Sequence, residues 1–251
     1  MASSAALSSQ ASIVSYQFRD GIATIVMDDG KRNVVSPAML KQLNTALDDA
    51  EKDNAVVILT GREGVLSAGF DLKVLKSGGL DALNMLIGGF QLSRRLLSFP
   101  SPVVIACPGH AIAMGSFMLL SGDYRIGTRG DFKIVANEVE IGLTVPRSAM
   151  EICRQRLATP YLDRSVLLSE SCGPDLAVNA GFLDAVADKR ELMNLARERA
   201  SAYLQLDRKA HCTSKLRLRH DMLKRLDAAI RRDQLEFAAR GVSALWSRLM
   251  P

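Results

Sequence analysis

The sequence lacks any apolar run near the roughly 18 residues that a membrane-spanning helix requires, so we expect no contact with a membrane. Its four cysteines include no C-x-x-C pair, and its three histidines are widely separated. We therefore predict no metal site, and we expect reduced thiols in a cytoplasmic, reducing compartment. Residues 1–12 are rich in alanine and serine but lack the basic and apolar regions of a secretory signal, which predicts a disordered tail.

The net charge of +5 is concentrated toward the C-terminus. Residues 207–248 contain eleven Lys and Arg against five Asp and Glu. A basic segment of this kind suits phosphates, acidic partners or nucleic acid, but a solvated helix face explains it equally well. Aromatic residues do not alternate with these charges, so nucleic-acid binding is not expected.

Strand and helix signals alternate along the first three quarters of the chain. Continuous apolar runs of strand length alternate with segments of helical periodicity, which is typical of a mainly parallel sheet covered by helices. Ser36-Pro37 begins the first helix as a cap followed by a first-turn proline. Strands are predicted at residues 22–27, 55–60, 103–107, 124–126, 132–135 and 182–186, and helices at 37–50, 80–99, 114–121 and 176–180.

From residue 190 onward the pattern is helical. An apolar stripe on one of these helices requires either its own core or a neighbouring subunit to pack on. We therefore divide the chain into an α/β core of residues 13–189 and a C-terminal helical region of residues 190–251. The stripe consists of Leu216, Leu223, Leu226 and Ile230.

Two segments place small residues at the end of a strand and then begin a helix: Ser67–Leu72 and Gly109–Gly115. Small residues let a ligand approach the backbone, and the first N–H groups of a helix have no internal partner. Two such ends facing each other would direct two N–H donors at one oxygen, as an oxyanion hole does. The pair therefore indicates chemistry on a carbonyl or thioester group.

Four segments resemble, in order and spacing, the signatures of the crotonase superfamily, also called the enoyl-CoA hydratase/isomerase family. The resemblance covers residues 13–186, whereas residues 190–251 fit the family only by being helical. It implies a spiral of ββα units that forms two roughly perpendicular sheets, with C-terminal helices that mediate assembly into a homotrimer or a dimer of trimers. The four segments are Ser67–Lys73, Gly109–Arg125, Asn137–Leu143 and Ala177–Asp184.

The resemblance also implies the substrate and its site. The substrate would be an acyl-CoA thioester, and no further cofactor is expected. Carried over by position, the backbone N–H groups of Phe70 and Met114 would form the oxyanion hole, and Glu138 would be the catalytic acid/base. The residues expected to bind substrate are Lys31, Arg32, Val34, Ala68, Gly69, Asp71, Leu72, Gly115 and Phe117.

The sequence departs from the hydratase pattern at one position. Hydratases of the family use two glutamates to add water, and Phe117 stands where the first of them belongs. Glu138 fills the second position, and Glu140 is its rival. One carboxylate suffices to move a double bond from the 3,4 to the 2,3 position, because the same group can remove a proton from C2 and return it to C4.

We therefore favour a 3,2-enoyl-CoA isomerase over two alternatives. One is a hydratase that works with Glu138 alone or with a second acid from elsewhere. The other is a non-catalytic crotonase scaffold that binds RNA or acidic partners. If Glu138 is catalytic, it should lie in an apolar setting that raises its pKa.

Several charged residues near the signatures have structural interpretations. Asp71 can act as a helix N-terminal acid, Asp123 can accept from backbone donors at a bend, and His110 is expected to be a packed side chain. For the CoA phosphates, Lys31 and Arg32 are the main candidates, because they match the family segment beside the adenine and phosphates. Weaker candidates are Lys73, Lys215, Arg217 and Arg219.

Overall fold

The computed structural model describes residues 12–240, which form a six-stranded sheet, a three-stranded sheet and the helices that cover them. The strands are β1 (Val14–Arg19), β2 (Ile22–Met27), β3 (Val56–Thr60), β4 (Gly64–Ser67), β5 (Val103–Cys107), β6 (Gly109–Ile112), β7 (Tyr124–Thr128), β8 (Ile134–Val135) and β9 (Ala185–Ala187). The helices are α1 (Pro37–Lys52), α2 (Leu72–Ser77), α3 (Gly79–Ser98), α4 (Met114–Leu120), α5 (Arg147–Arg156), α6 (Thr159–Leu167), α7 (Pro174–Ala180), α8 (Leu192–Tyr203) and α9 (Arg208–Arg240).

The larger sheet has the order β1-β2-β3-β5-β7-β9, and the smaller has the order β4-β6-β8. Only the β1–β2 pair is antiparallel among these strands. Every residue of β3 and β5 is buried, which explains their unbroken apolar sequence. In three successive units the first strand joins the larger sheet and the second joins the smaller one. The predicted mainly parallel α/β fold is confirmed.

The second strand of each unit is short, and the sequence predicted only that of the third unit, within residues 132–135. β4 and β6 contain four residues each and include Gly64 and Gly109. A Cβ on Gly109 would lie 2.0 Å from the Gly64 carbonyl oxygen, so the two strands meet at backbone contact. Glycine weakens a strand pattern, but here it permits the close approach that carries Ser67 and Met114 to one place.

The predicted strand at 182–186 is wrong in its bounds, since β9 spans Ala185–Ala187. Phe182 and Leu183 are instead turned back onto α7, where the N–H groups of both donate to the Ala177 carbonyl. This turn follows Gly181, which ends α7 with a left-handed φ of 92°.

The C-terminal helices pack on the rest of the chain. Leu192, Ala196 and Ala200 of α8 are buried against β3, β5 and β7, while α9 packs on α3 and α5. Leu223, Leu226 and Ile230 are buried as predicted, but Leu216 is 41% exposed. Lys215 and Arg219 occupy the buried face of α9 at that level, so Leu216 does not pack on the chain's own core, and its contact with a neighbouring subunit stays a prediction.

Other expectations concern features that the described residues show only in part. Of the predicted tail and the C-terminal region, residues 1–11 and 241–251 lie outside the described residues. Within residues 12–240, no helix is long and apolar enough to cross a membrane. The same residues contain no cluster of three or more side chains suited to hold a metal ion, and the four cysteines are unpaired.

Candidate active site

The two segments singled out in the sequence lie against each other. A Cβ on Gly69 would stand 3.1 Å from the Cβ of Ala113 and 3.5 Å from the nitrogen of Met114. A Cβ on Gly115 would stand 2.3 Å from the Ser67 carbonyl oxygen. Gly69 also has a φ of 91°, so glycine is required there by both conformation and space.

The N–H of Phe70 is held in a fixed direction but donates no hydrogen bond within the described residues. The Val35 N–H donates to the Gly69 carbonyl at 2.8 Å, and a planar trans peptide then directs the Phe70 N–H the opposite way. Its neighbours are paired, since Gly69 N–H donates to Ser67 Oγ and Asp71 N–H to the Val35 carbonyl. No acceptor in residues 12–240 takes the Phe70 N–H.

The N–H of Met114 is arranged in the same manner at the start of α4. The Ala113 carbonyl accepts from the N–H groups of Ser116, at 2.8 Å, and Phe117, at 3.2 Å. The Met114 N–H therefore points away from the helix, and no acceptor in the described part of the chain takes it. Ala113 has a φ of 50°, a conformation that costs a non-glycine residue about 1–3 kcal/mol and that clusters at functional sites.

A cavity of about 460 Å³ lies beside these segments. Most of its wall is apolar, and three carboxylates, those of Glu138, Asp233 and Glu236, also line it. Of the residues predicted from the sequence, those at the cavity are Ala68, Phe70, Leu72, Phe117 and Glu138. The apolar wall includes Leu86, Phe90, Ile112, Ile141, Leu143, Val145, Met150 and Phe237.

Glu138 is the carboxylate of the cavity whose charge is least compensated. Its side chain is 7% exposed, and its Oε2 has no hydrogen-bond partner among the described residues. Burial raises the pKa of Glu138 to about 7. Burial, followed by the charge of Glu138, also raises the pKa of the Cys153 thiol. The rival Glu140 is exposed, and its N–H donates to Ser169 Oγ.

The other two carboxylates of the cavity form hydrogen bonds or an ion pair with neighbouring residues. Asp233 accepts from the backbone N–H groups of Arg147 and Ser148, at 3.1 and 2.8 Å, and from Ser148 Oγ at 2.6 Å. These bonds occupy the free donors at the start of α5. Glu236 forms an ion pair with the Arg147 guanidinium. Neither carboxylate is therefore as isolated as Glu138.

Phe117 and its neighbours form an aromatic wall. Phe117 is 1% exposed, and its ring centroid lies 6.3 Å from that of Phe90. Phe90 in turn meets Phe70 edge to face at 6.1 Å. A Cβ on Gly89 would lie 2.5 Å from the Phe70 ring, so this glycine makes room for the wall.

The predicted residues outside the cavity lie in the loop before α1, at the contact between the two donor segments, and on the surface of α2 and α9. Lys31 and Arg32 are exposed, and the Arg32 carbonyl accepts from the Ala68 N–H at 3.0 Å. Val34 belongs to the same loop and donates its N–H to the Asp29 carboxylate. Gly69 and Gly115 are buried at the contact between the donor segments. Lys73 and Arg217 are exposed.

Asp71 caps the helix that follows it. Its carboxylate accepts from the Lys73 N–H at 2.8 Å and so fills one of the open donors at the start of α2. His110 is packed edge to face on Phe132, and its Nδ1 accepts from the Lys133 N–H at 3.0 Å. Both structural interpretations agree with the geometry.

Lys215 and Arg219 are internal counterions rather than free cations. Asp123 accepts from the Val103 N–H at 2.8 Å, from Lys215 Nζ at 2.6 Å and from Arg219 at 2.9 Å. The structural interpretation of Asp123 is therefore correct. The suggestion that Lys215 and Arg219 hold phosphates is wrong, because both side chains are buried in this cluster.

Sequence reasoning missed the part of the cavity wall that α5 and α9 supply. Met150, Asp233 and Phe237 are distant in sequence from the signature segments. A signal for Phe237 existed, since it continues the helical spacing of the buried stripe from Ile230 through Asp233. Nothing in the sequence places Met150 near the donors.

Comparison with known proteins shows which protein family this chain resembles. The profile of the Enoyl-CoA hydratase/isomerase family matches residues 17–242. A peroxisomal enoyl-CoA delta isomerase 1 of Arabidopsis thaliana is 25% identical over 209 residues, which cover 81% of this chain and 87% of that protein.

Solved structures extend the likeness to the whole fold. An enoyl-CoA hydratase from Mycobacterium ulcerans is 44% identical, with a TM-score of 0.87 over 90% of this chain and 100% of that one. A Mycobacterium tuberculosis protein, which one structure names an enoyl-CoA isomerase and another a probable enoyl-CoA hydratase, is 43% identical in the first of these, with a TM-score of 0.86 over 90% of this chain and 99% of that one. The expected crotonase fold is thereby confirmed, and the chain belongs to the enoyl-CoA hydratase/isomerase family.

Proposed function

We propose that the protein is a 3,2-enoyl-CoA isomerase that moves a double bond of an acyl-CoA thioester into conjugation with the carbonyl. The observation that carries the proposal is the isolation of Glu138. It is a buried carboxylate in an apolar cavity. Phe117 occupies the position where hydratases have their other glutamate. The named isomerases among its relatives are consistent with this reaction.

The reaction needs one group that can accept and return a proton. The Glu138 carboxylate removes a proton from C2 of the 3-enoyl thioester, and the electrons of the C–H bond pass into a dienolate. The resulting acid delivers the proton to C4, which leaves the double bond between C2 and C3. Positioned acid–base catalysis of this kind contributes about 10²–10⁴-fold to a rate.

The negative charge of the dienolate falls on the thioester oxygen. The open N–H groups of Phe70 and Met114 are the donors proposed to stabilise it. Losing one such donor costs about 2.7–4 kcal/mol in the transition state of other enzymes. The Phe117 ring cannot transfer a proton, and together with Phe90 it keeps water from the reacting carbons.

A second candidate is hydration of a 2-enoyl-CoA with Glu138 as the base. It is favoured by the likeness to a structure named as an enoyl-CoA hydratase. Phe117 argues against it, because it stands where hydratases have their other glutamate, and the two further carboxylates of the described cavity, Asp233 and Glu236, are bonded to α5 and to Arg147. Both candidates use the same carboxylate and the same two donors.

Separate assays with 3-enoyl-CoA and 2-enoyl-CoA distinguish the two reactions. We expect rapid formation of the conjugated thioester from the 3-enoyl substrate, and hydration of the 2-enoyl substrate at least about 10²-fold slower for want of the second acid. Absorbance of the conjugated thioester follows both reactions. Hydration at a rate comparable with isomerisation would make the protein a hydratase.

The activity should depend on pH through Glu138. The base must be deprotonated, and burial raises its pKa to about 7. We therefore expect kcat/KM for 3-enoyl-CoA to fall tenfold for each pH unit below about 7 and to level off above it. A profile that stays flat down to pH 5 would contradict the assignment of Glu138 as the base.

The proposal includes a homotrimer or a dimer of trimers. Its support is the family resemblance and the exposed leucines of α9, since Leu218 is 85% and Leu235 is 71% exposed.

A reducing compartment such as the cytoplasm is also proposed, supported by the unpaired thiols of Cys107, Cys153, Cys172 and Cys212.

A further inference from the structure

Ser67 lies where three segments meet. It ends β4, is fully buried, and its Oγ donates to the Asn33 carbonyl at 2.6 Å. The same oxygen accepts from the Gly69 N–H at 3.2 Å. One hydroxyl therefore connects the loop before α1 to the Ala68–Gly69 peptide, which directly precedes the peptide that carries the Phe70 N–H.

Ser67 also contacts the second donor segment. A Cβ on Gly115 would lie 2.3 Å from the Ser67 carbonyl oxygen and 3.0 Å from its Cβ. Gly115 directly follows Met114. The backbone of Ser67 thus sets how closely the two donor segments approach, while its side chain sets the turn that leads to Phe70.

The anchor of the Ser67 hydroxyl is itself fixed. The Asp29 carboxylate accepts from the N–H groups of Lys31, Asn33 and Val34 at 2.7, 2.9 and 3.1 Å. Asn33 is fully buried, and its Nδ2 donates to the carbonyls of Met27 and Leu66.

The bonds around Asn33 hold it in a left-handed conformation with a φ of 51°, which asparagine tolerates better than most residues. The carbonyl that receives the hydroxyl of Ser67 is therefore part of a rigid loop.

We propose that Ser67 is a positioning residue of the oxyanion hole, which holds the Ala68–Gly69 peptide so that the Phe70 N–H of the next peptide stays directed at the substrate carbonyl. This inference rests on the proposed function of the same site. Removal of the hydroxyl would leave the buried Gly69 N–H without an acceptor. The turn would then rotate to satisfy it, and the Phe70 N–H would leave its direction.

The test compares Ser67→Ala with Thr60→Val. Thr60 is a matched control, because its buried hydroxyl also donates to a carbonyl, that of Ala106 at 2.8 Å, but in the larger sheet. For Ser67→Ala we expect kcat to fall about tenfold with KM nearly unchanged, less than the 10²–10³-fold that loss of a whole donor costs. Thr60→Val should retain the wild-type kcat.

A spectroscopic readout separates positioning from stability. Cinnamoyl-CoA absorbs at longer wavelength when donors polarise its thioester carbonyl, and it requires no turnover. We expect the shift seen on binding to the wild type to persist in Thr60→Val and to shrink in Ser67→Ala. If Ser67→Ala does not fold, Ser67→Cys, whose thiol is a weaker donor and acceptor, should show an intermediate shift.

An unchanged shift and unchanged kcat in the Ser67 variants would overturn the inference, as would absence of any shift in the wild type. A wild-type protein that shifts the probe but does not isomerise 3-enoyl-CoA would defeat the proposed function alone. A smaller shift in Ser67→Ala would still support the role of Ser67 in that case.

Discussion

Replacement of Glu138 by glutamine is expected to lower the turnover of 3-enoyl-CoA by about 10²–10⁴-fold, the usual contribution of a positioned acid or base. Glutamine has nearly the same shape as glutamate but cannot exchange the proton between C2 and C4. Binding should be retained, because the cavity wall and the donors of Phe70 and Met114 are unchanged. Formation of the conjugated thioester measures kcat, and calorimetry measures the affinity for acyl-CoA.

Glu140→Gln is the matched control, since Glu140 is exposed two residues further along the chain. We expect this variant to turn over at the wild-type rate. Normal turnover in Glu138→Gln, or loss of turnover in Glu140→Gln alone, would show that the base has been assigned to the wrong residue.

The Glu138→Gln variant should be more stable than the wild type at high pH. Because burial raises the pKa of Glu138 from 4.5 to about 7, the folded state binds this proton more tightly than the unfolded state does. The free energy of unfolding therefore decreases as the pH rises from about 4.5 to about 7. Glu138→Gln removes this loss and should gain up to ~3 kcal/mol at pH 8, with no gain near pH 4.5. Urea titrations at both pH values measure the difference.

Replacement of Asp123 by asparagine is expected to lower the free energy of unfolding by about 3–5 kcal/mol. The side chains of Lys215 and Arg219 are 4% and 7% exposed, and both pair with this carboxylate. Burial already lowers the pKa of Lys215, so its charge is costly there even with its partner present. Without Asp123 two cations would remain in a buried site with no carboxylate between them.

Asp175→Asn provides the comparison for Asp123→Asn. Asp175 pairs with Arg129 at 3.0 Å, but its side chain is 78% exposed. Loss of an exposed ion pair of this kind costs less than about 1 kcal/mol. Denaturant unfolding of the two variants gives the contrast directly, and an equal cost for both would mean that the Asp123 cluster contributes no more than a surface pair.

Elements with a strong local signal were predictable from the sequence. α1 begins where Ser36-Pro37 indicates, because the Ser36 hydroxyl accepts from the Met39 N–H and Pro37 has no N–H that would need an acceptor. β3 and β5 lie at unbroken apolar runs, since both faces of a central parallel strand are buried. In these places the local sequence and the tertiary environment require the same residues.

Other features depend on contacts between distant parts of the chain. Leu216 fits an apolar stripe, yet the buried positions at its level belong to Lys215 and Arg219. The burial of these two charges is explained by their pairing with Asp123. Strands β4 and β6 could not be recognised, because their glycines matter for a neighbour's backbone rather than for the strand itself.

The candidate site divides in the same way. The segments around Phe70, Met114 and Glu138 carry recognisable patterns, whereas the cavity wall from α5 and α9 does not. Met150 and Phe237 reach the cavity through helix packing, and packing of this kind leaves little trace in a single sequence.

Helix α9 reaches both the Asp123 cluster and the cavity. Lys215 near one end holds Asp123, and Phe237 near the other lines the cavity; at 1.5 Å per residue these positions are roughly 33 Å apart. During synthesis, the residues of α9 that line the cavity are therefore in place only after this helix has left the ribosome and packed along its length. The cavity wall is therefore incomplete until α9 has folded.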